Sequence, residues 1–353
     1  MKKLKLAVLF GGKSSEYEVS LTSASAVLAN LSAEKYDVVR IGITKAGAWY
    51  RFEGAISAIA DGSWCRDTSV LPRVLVDPSP ASHTVSFLSP DGRTETCVLD
   101  AAFPVLHGAF GEDGTLQGLF AMAGIPTVGC GCLSSALCMD KAMAKAVLRD
   151  AGVLQARAVI VRARAYAADP EAVLADASVF GFPVFVKPSR AGSSVGVSRA
   201  SSPAELRPAI EGALREDEKV LVEEAITGKE VEVAVLEEHG TLTVSMPAEI
   251  EPGADFYDYD TKYNSDVAKF YVPARLPAAK LDEVRVVAAK VFRTLDCTGL
   301  ARVDFFVREN GDVVLNEVNT LPGFTPISMY PKLMIAAGLT YGELLDRLVA
   351  AAL

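Results

Sequence analysis

The sequence predicts an α/β protein that opens on a parallel sheet and turns to α+β character with hairpins further along. Three observations predict it. The 353 residues exceed what one small core holds, so two or three domains are expected. The apolar run at 4–10 empties into Gly11-Gly12 and then a helical stretch, which is how a βαβ unit begins. Near the C-terminus, two β-rich runs flank Glu309-Asn310-Gly311-Asp312, the signature of a hairpin.

The bulk numbers exclude several classes. Half the residues are apolar (50%) and the mean hydropathy is +0.26, enough for a sizeable core. A net charge of −9 and a pI near 5.1 argue against nucleic-acid binding. No run of 18 apolar residues is present, so no membrane span is expected. The start Met-Lys-Lys-Leu-Lys mimics a secretion signal, but its apolar part is short and runs into Gly11-Gly12 without a cleavage pattern. Six cysteines (65, 97, 130, 132, 138, 297) do not form a disulfide framework in a chain this long. Cys130-Gly-Cys132 with Cys138 lacks both a CxxC pair and a nearby His, so buried thiols and a cytoplasmic compartment are expected.

Each element follows in order. After the first strand, Val19–Leu31 reads as a helix. The turn before it is no P-loop, because the position five residues before Gly12 is Ala7. It is no dinucleotide fingerprint either. Glu16 and Glu18 sit at the helix start, where the dipole favours carboxylates. Val38–Ile43 is the second strand. Residues 45–100 read as short hairpins decorating the first domain, with His83 in a surface loop. Val98–Leu106 is a buried strand that empties into His107-Gly108-Ala-Phe-Gly111-Glu112-Asp113-Gly114, at the carboxyl edge of the sheet where open α/β folds bind ligands. Residues 125–129 read as a short strand and Ser134–Asp150 as one helix carrying Lys141. Phe182–Lys187 is a strand ending in lysine. The Gly/Ser-rich loop 189–196 follows it, and either a plain linker or a phosphate-closing lid fits. Val195–Ser198 reads as the return strand. A helix at Glu205–Glu216 precedes the strand Val220–Ile226, which carries Glu223 and Glu224, and Val231–Leu236 is another strand. The polar, aromatic stretch 255–273, with Lys262 and Tyr263, is too rich for an idle linker. Pro277–Leu295 is a helix, and a last helix starts at Tyr341.

The hairpin at 299–319 carries the chemistry. Side chains alternate on a strand, so Arg302 and Asp304 share a face, as do Glu317 and Asn319. Two readings fit: a polar outer face on an antiparallel pair, or a set of hard oxygen donors for Mg²⁺ beside a cation placed where anionic charge develops.

Taken together, these stretches resemble the D-alanine–D-alanine ligase family of ATP-grasp enzymes over nearly the whole chain. The anchors are Gly11-Gly12-x-Ser14-x-Glu16-x-x-Val19-Ser20, His107-Gly-x-x-Gly-Glu-Asp-Gly114, Met139-Asp140-Lys141, Val186-Lys187-Pro188 with Gly192-Ser193-Ser194-x-Gly196, Phe256-Tyr-Asp-Tyr-x-x-Lys262-Tyr263, Arg302-x-Asp304 and Glu317-x-Asn319-Thr-x-Pro-Gly323. The resemblance implies an N-terminal α/β domain at 1–130, a central ATP-grasp subdomain at 131–222 and a C-terminal one at 223–353. It implies ATP and two Mg²⁺ ions, with Mn²⁺ as a substitute, and formation of a D-alanyl-D-alanine peptidoglycan precursor through an acyl phosphate. Lys141, Lys187, Lys262 and Ser194 would hold phosphates. Glu223, Glu224, Ala225 and Ile226 would face the adenine and Glu230 the ribose. Asp304, Glu317 and Asn319 would hold metal. Glu16 would receive the first ammonium, Arg302 and the Gly323 N–H would form the oxyanion site, and Tyr263, Ser193 and Glu16 would tie down the mobile loop. Ser328, Met329 and His107 would surround the second substrate. A homodimer is implied.

The second substrate is read from two positions. Lactate-type relatives carry His where this chain has Tyr263, and resistance-type relatives carry Arg where it has Met329. Both favour D-alanine, with D-serine and then D-lactate as alternatives, since one hydroxyl is hard to exclude sterically. A carboxylase-type ATP-grasp ligase would not be expected to have the Glu16 and Tyr263 pair. A non-catalytic nucleotide binder would be expected to lack a metal ligand or phosphate lysine, and none is missing.

Overall fold

The computed structural model describes residues 2–193, 195–251 and 269–353, so Ser194, Lys262 and Tyr263 lie outside the described residues. Three sheets carry the chain. The first takes β1 (Leu4–Gly11), β2 (Tyr36–Ile43), β3 (Trp49–Arg51), β4 (Arg73–Val76), β5 (Thr84–Leu88), β6 (Thr94–Val98) and β7 (Ala101–Pro104), in the order β6-β5-β4-β3-β2-β1-β7. β1 runs parallel to both β2 and β7, with Leu6–Phe10 fully buried. That is why its sequence is a continuous apolar run rather than an alternation.

Here the sequence reading needs correction. The segment 45–100 does not decorate the parallel sheet but extends it, through antiparallel pairings of β2 with β3 and on to β6. The sheet is therefore mixed. Of the predicted strand Val98–Leu106, Ala101–Pro104 is β7 and Val98 is the last residue of β6, and residues 125–129 contribute only a bridge, Ala102 to Thr127. Gly11 ends β1 at φ 87°, and a Cβ there would stand 2.1 Å from the Ile43 carbonyl oxygen. The turn toward the first helix, Tyr17–Asn30, thus requires glycine.

The predicted helix at 134–150 is two helices, Cys132–Met139 and Lys141–Asp150. Asp140 breaks it. Its backbone leaves the helical region (ψ 90°), and its carboxylate caps the second helix at the Met143 N–H. The same carboxylate accepts from Ser189 Oγ at 2.7 Å and pairs with Lys219. Of the cysteines, 130, 138 and 297 are buried, whereas 65 and 97 are partly exposed and Cys132, at a helix start, is exposed.

The second sheet takes β8 (Ala158–Arg162), β9 (Val184–Pro188), β10 (Ser198–Ala200) and β11 (Lys219–Glu224), ordered β10-β9-β11-β8 and antiparallel throughout. The return strand β10 starts only at Ser198, where the sequence placed its end. The third sheet takes β12 (Lys229–Glu238), β13 (Thr241–Val244), β14 (Ala248–Glu251), β15 (Lys269–Tyr271), β16 (Leu300–Val307) and β17 (Val313–Asn319). Its order is β15-β14-β12-β16-β17, with β13 on β12.

Two cores hold the first and third sheets and their helices, while the second sheet packs on a core of its own. Phe10, Phe103 and Leu344 share one cluster with Phe324 and Tyr330, so the first sheet packs on the C-terminal helices Met329–Ala336 and Tyr341–Ala352. Val303, Phe305 and Val307, on one face of β16, share another with the helix Ala278–Thr294 and with Cys138 and Leu148. The opposite face of β16 is left to the cleft. Among the described residues, no helix is long and apolar enough to cross a membrane.

Candidate active site

One cleft of about 960 Å³ opens between the three sheets, and every predicted site residue among the described residues lines it. Its floor is the β16–β17 hairpin. The register sets Arg302 opposite Asn319 and Asp304 opposite Glu317, with an irregularity after Asp304 that takes up one residue of β17. Directly opposed residues point to the same side of an antiparallel pair. Arg302, Asp304, Glu317 and Asn319 therefore share one face.

Asp304 is the hub of that face. Arg302 donates from Nε to Asp304 Oδ1 at 2.8 Å and from Nη2 to Oδ2 at 2.7 Å, a bidentate pair. Asn319 Nδ2 donates to the same Oδ2 at 3.0 Å. Burial pulls the Arg302 pKa down, but Asp304 and then Glu232 outweigh it and hold the guanidinium well above its ordinary range. Among the described residues no cluster of three or more Asp, Glu, His or Cys could hold a metal alone. Two carboxylates and one amide suit a hard cation that takes its remaining ligands from phosphate and water, as Mg²⁺ does.

The cations stand along one wall. Lys187, near the end of β9, reaches Glu223 Oε2 at 2.6 Å. Lys145, one turn beyond Lys141, reaches Glu223 Oε1 at 2.8 Å and donates to the Ala156 carbonyl at 3.0 Å. Burial pushes the Glu223 carboxyl up, but the two lysines outweigh it and keep the pKa below the usual range. Lys141 Nζ donates to the Ala191 carbonyl at 2.9 Å and lies 3.5 Å from Glu317 Oε2. It thus bridges the Gly/Ser-rich loop and the hairpin face that carries Asp304 and Glu317. Glu224 lines the cleft with its carboxylate held by Arg157 Nε at 2.9 Å and Nη2 at 2.8 Å. Ala225, Ile226 and Glu230 continue the same wall.

Glu16 faces this wall from the first sheet. It occupies the N-cap position of the helix Tyr17–Asn30 yet makes no capping bond. Its carboxylate accepts instead from Ser193 Oγ in the Gly/Ser-rich loop. Two glycines make room for it: a Cβ on Gly108 or Gly192 would lie 2.6 or 2.8 Å from Glu16 Oε2. Glu18 points away, paired with Lys45.

His107 is buried. Its Nδ1 lies 3.0 Å from the Leu321 carbonyl and its Nε2 3.3 Å from Ser23 Oγ. Burial lowers its pKa, so a neutral ring donates from Nδ1 and accepts at Nε2. Ser23 Oγ also accepts from the Phe324 N–H at 3.1 Å, so His107 and Ser23 together brace the segment carrying Gly323. Ser328 Oγ accepts from the Thr325 N–H at 3.0 Å, and a Cβ on Gly323 would stand 2.6 Å from it. Met329 follows, buried at the start of its helix.

Sequence reasoning missed two residues that line the cleft, Glu232 and Glu112, and one that braces its wall through Glu223, Lys145. Lys145 lies four residues after Lys141 on the same helix, a spacing that sets side chains on one face. Glu232 lies two residues after Glu230 on one strand, so alternation carries it to the same side. Glu112 accepts from the Gly108 and Leu321 N–H groups at 2.7 and 3.2 Å, and burial with the Glu16 charge pushes its pKa up to about 8. Only its place in a Gly-rich loop could have signalled it.

Known proteins resemble the chain over nearly its whole length. Residues 5–130 match the family model described as D-ala D-ala ligase N-terminus, and residues 147–350 match D-ala D-ala ligase C-terminus. The chain is 45% identical to a D-alanine–D-alanine ligase of Chlorobium limicola over 99% of this chain and 97% of that one. It is 46% identical to another from Acetivibrio thermocellus over 98% and 95%. The solved structure of VanG D-Ala:D-Ser ligase from Enterococcus faecalis superposes with a TM-score of 0.90 at 41% identity, covering 100% of both chains. The D-alanine-D-alanine ligase of Coxiella burnetii superposes with 0.84 at 32%, covering 100% of this chain and 94% of that one.

Proposed function

The chain belongs to the D-alanine–D-alanine ligase family, and from that premise we propose that it joins two D-alanines at the expense of ATP. It is a ligase with the ATP-grasp fold, and the product is a peptidoglycan precursor. The observation that carries this reading is the shared face of Arg302, Asp304, Glu317 and Asn319, opposed across one cleft by Glu16 and the Ser193 loop.

The residues divide the work as follows. Lys141 and Lys187 neutralise the phosphates, and Lys262 and Ser194, outside the described residues, join them. The backbone and side chains from Glu223 to Ile226 line the adenine, and Glu230 takes the ribose. Asp304, Glu317 and Asn319 would hold two Mg²⁺ ions, or Mn²⁺, which would supply positive charge against the phosphates. Glu16 receives the ammonium of the first D-alanine. An oxygen of that D-alanine's carboxylate attacks the γ-phosphorus and ADP leaves. Arg302 and the Gly323 N–H then stabilise the oxyanion that forms when the second D-alanine's amine, having lost a proton, attacks the acyl carbon. Inorganic phosphate leaves with the electron pair of the broken bond. Ser328, Met329 and His107 shape the second subsite, and Ser193, Glu16 and Tyr263 close the loop over it.

In this reading the chain divides at about 130 and 222 into an N-terminal domain and two nucleotide-clamping subdomains. It acts in the cytoplasm as a homodimer, without nucleic acid or membrane. A second reading, ligation of D-alanine to D-serine, draws on the likeness to VanG. The buried, uncharged Met329 supports D-alanine over D-serine or D-lactate. Phosphate release from ATP and Mg²⁺ tests the proposal. Turnover that depends on D-alanine supports it, and ATP binding without turnover on any D-amino acid overturns it.

A further inference from the structure

We propose that Glu232 is a positioning residue that anchors Arg302, so that Asp304 is free to turn its carboxylate to metal. The inference rests on the ligase reading above and adds a residue to it. Glu232 on β12 stands directly opposite Asp304 on β16, which stands opposite Glu317 on β17. Three carboxylates thus form one row across three adjacent strands. Glu232 is buried, at 8% exposure, and lines the cleft. Arg302 lies between the first two, its Nε 2.8 Å from Asp304 Oδ1 and 3.2 Å from Glu232 Oε2.

The need for a second anchor follows from the geometry at Asp304. Both of its oxygens accept from Arg302, and Oδ2 also accepts from Asn319. A carboxylate that gives an oxygen to a divalent cation loses part of its hold on a guanidinium, and the two cations repel. Glu317, whose charge also reaches Arg302, is itself on the metal side. Glu232 is the carboxylate on the far side of Arg302 from Glu317. Drawn toward Glu232, Arg302 stays in the cleft to meet the oxyanion while Asp304 rotates to metal. Without Glu232, metal and Arg302 compete for one carboxylate.

The test uses the full-length protein with Mn²⁺ and ADP as probes, with bound Mn²⁺ read by electron paramagnetic resonance. Glu232→Ala is expected to weaken Mn²⁺ binding on the order of tenfold, as for loss of one close opposite charge. Its kcat should fall while KM for D-alanine holds. Glu232→Gln, which keeps volume and an acceptor oxygen, should shift both quantities the same way by less, and it stands in should the alanine variant fail to fold. In Glu232→Ala/Arg302→Ala the competing guanidinium is gone, so Mn²⁺ binding should return toward wild type while turnover stays lost. A purely structural Glu232 would lower the melting temperature and leave Mn²⁺ binding unchanged. That result, or a double variant as weak as the single one, overturns the proposal. Wild-type protein that binds Mn²⁺ and ADP but ligates nothing would instead overturn the ligase reading, leaving the Mn²⁺ comparison intact.

Discussion

Ser193 and Glu16 lie 177 residues apart and share a hydrogen bond, Ser193 Oγ donating to the Glu16 carboxylate. The bond ties the loop after β9 to the first helix of the N-terminal sheet, across the mouth of the cleft. A hydrogen bond to a charged partner is worth about 1.5–3 kcal/mol. Ser193→Ala should therefore cut kcat/KM for the first D-alanine by roughly 10- to 100-fold. Glu16→Gln should cost more, because the ammonium partner is lost with the tie. Steady-state kinetics on both variants checks this, and a Ser193→Ala variant with wild-type kinetics would refute it.

Gly323 has no space for a side chain. A Cβ there would sit 2.6 Å from Ser328 Oγ, and overpacking of this kind costs about 1–3 kcal/mol. Gly323→Ala should raise KM for the second substrate and lower kcat. Gly323→Ala/Ser328→Ala should relieve the contact and recover part of kcat. No recovery would place the defect in the lost backbone geometry instead.

Lys145 and Lys187 share Glu223, so the three groups carry one net positive charge, which in the proposed reading faces phosphate. Lys145→Met removes one cation from a buried carboxylate, a loss of about 3–5 kcal/mol in stability when such pairs are broken. KM for ATP should rise at least ~10-fold as the remaining pair turns neutral toward the nucleotide. KM for D-alanine should not change, and Lys145→Arg should restore most of the ATP affinity. An equal rise in both constants would contradict this.

Glu112 sets a pH dependence. Its carboxyl is pushed up to about 8 by burial, with Glu16 adding to the shift, against ~4.3 in an unfolded chain. Between those values the folded protein holds a proton that the unfolded chain has lost. This contribution to stability is full below the unfolded pKa and is lost as pH rises to about 8. Melting temperatures of wild type and Glu112→Gln from pH 5 to 8 should diverge, the variant declining less. Parallel curves would show that Glu112 does not titrate in this range.

The fold was legible where one physical pattern dominated. The buried β1, the hairpin at Arg302–Asn319 and the lysine closing β9 each follow from burial or alternation alone. The antiparallel extension β3–β6 was not legible as part of the first sheet, because short half-polar strands look the same whether appended or continuous. The helix break at Asp140 depends on contacts with Ser189 and Lys219, dozens of residues away, which no local pattern reveals. In the site, counting back from the Val307–Val313 pair sets Asp304 opposite Asn316, and only the irregularity after Asp304 brings Glu317 there; Arg302 and Asp304 could be set on one face by alternation. Glu232 could not, because its register on β16 is set by a strand far from it in sequence. Lys145 reads locally as an ordinary helical charge.

The central claim is that this cleft couples ATP cleavage to joining two D-alanines. Mass identification of the products from ATP, Mg²⁺ and an equimolar mixture of D-alanine, D-serine and D-lactate tests it most directly. The account predicts D-alanyl-D-alanine as the dominant product, formed in step with ADP. A dominant D-alanyl-D-serine or D-alanyl-D-lactate would contradict the assignment of the second subsite around Ser328 and Met329, and ADP formed with no joined product would contradict the ligase mechanism itself.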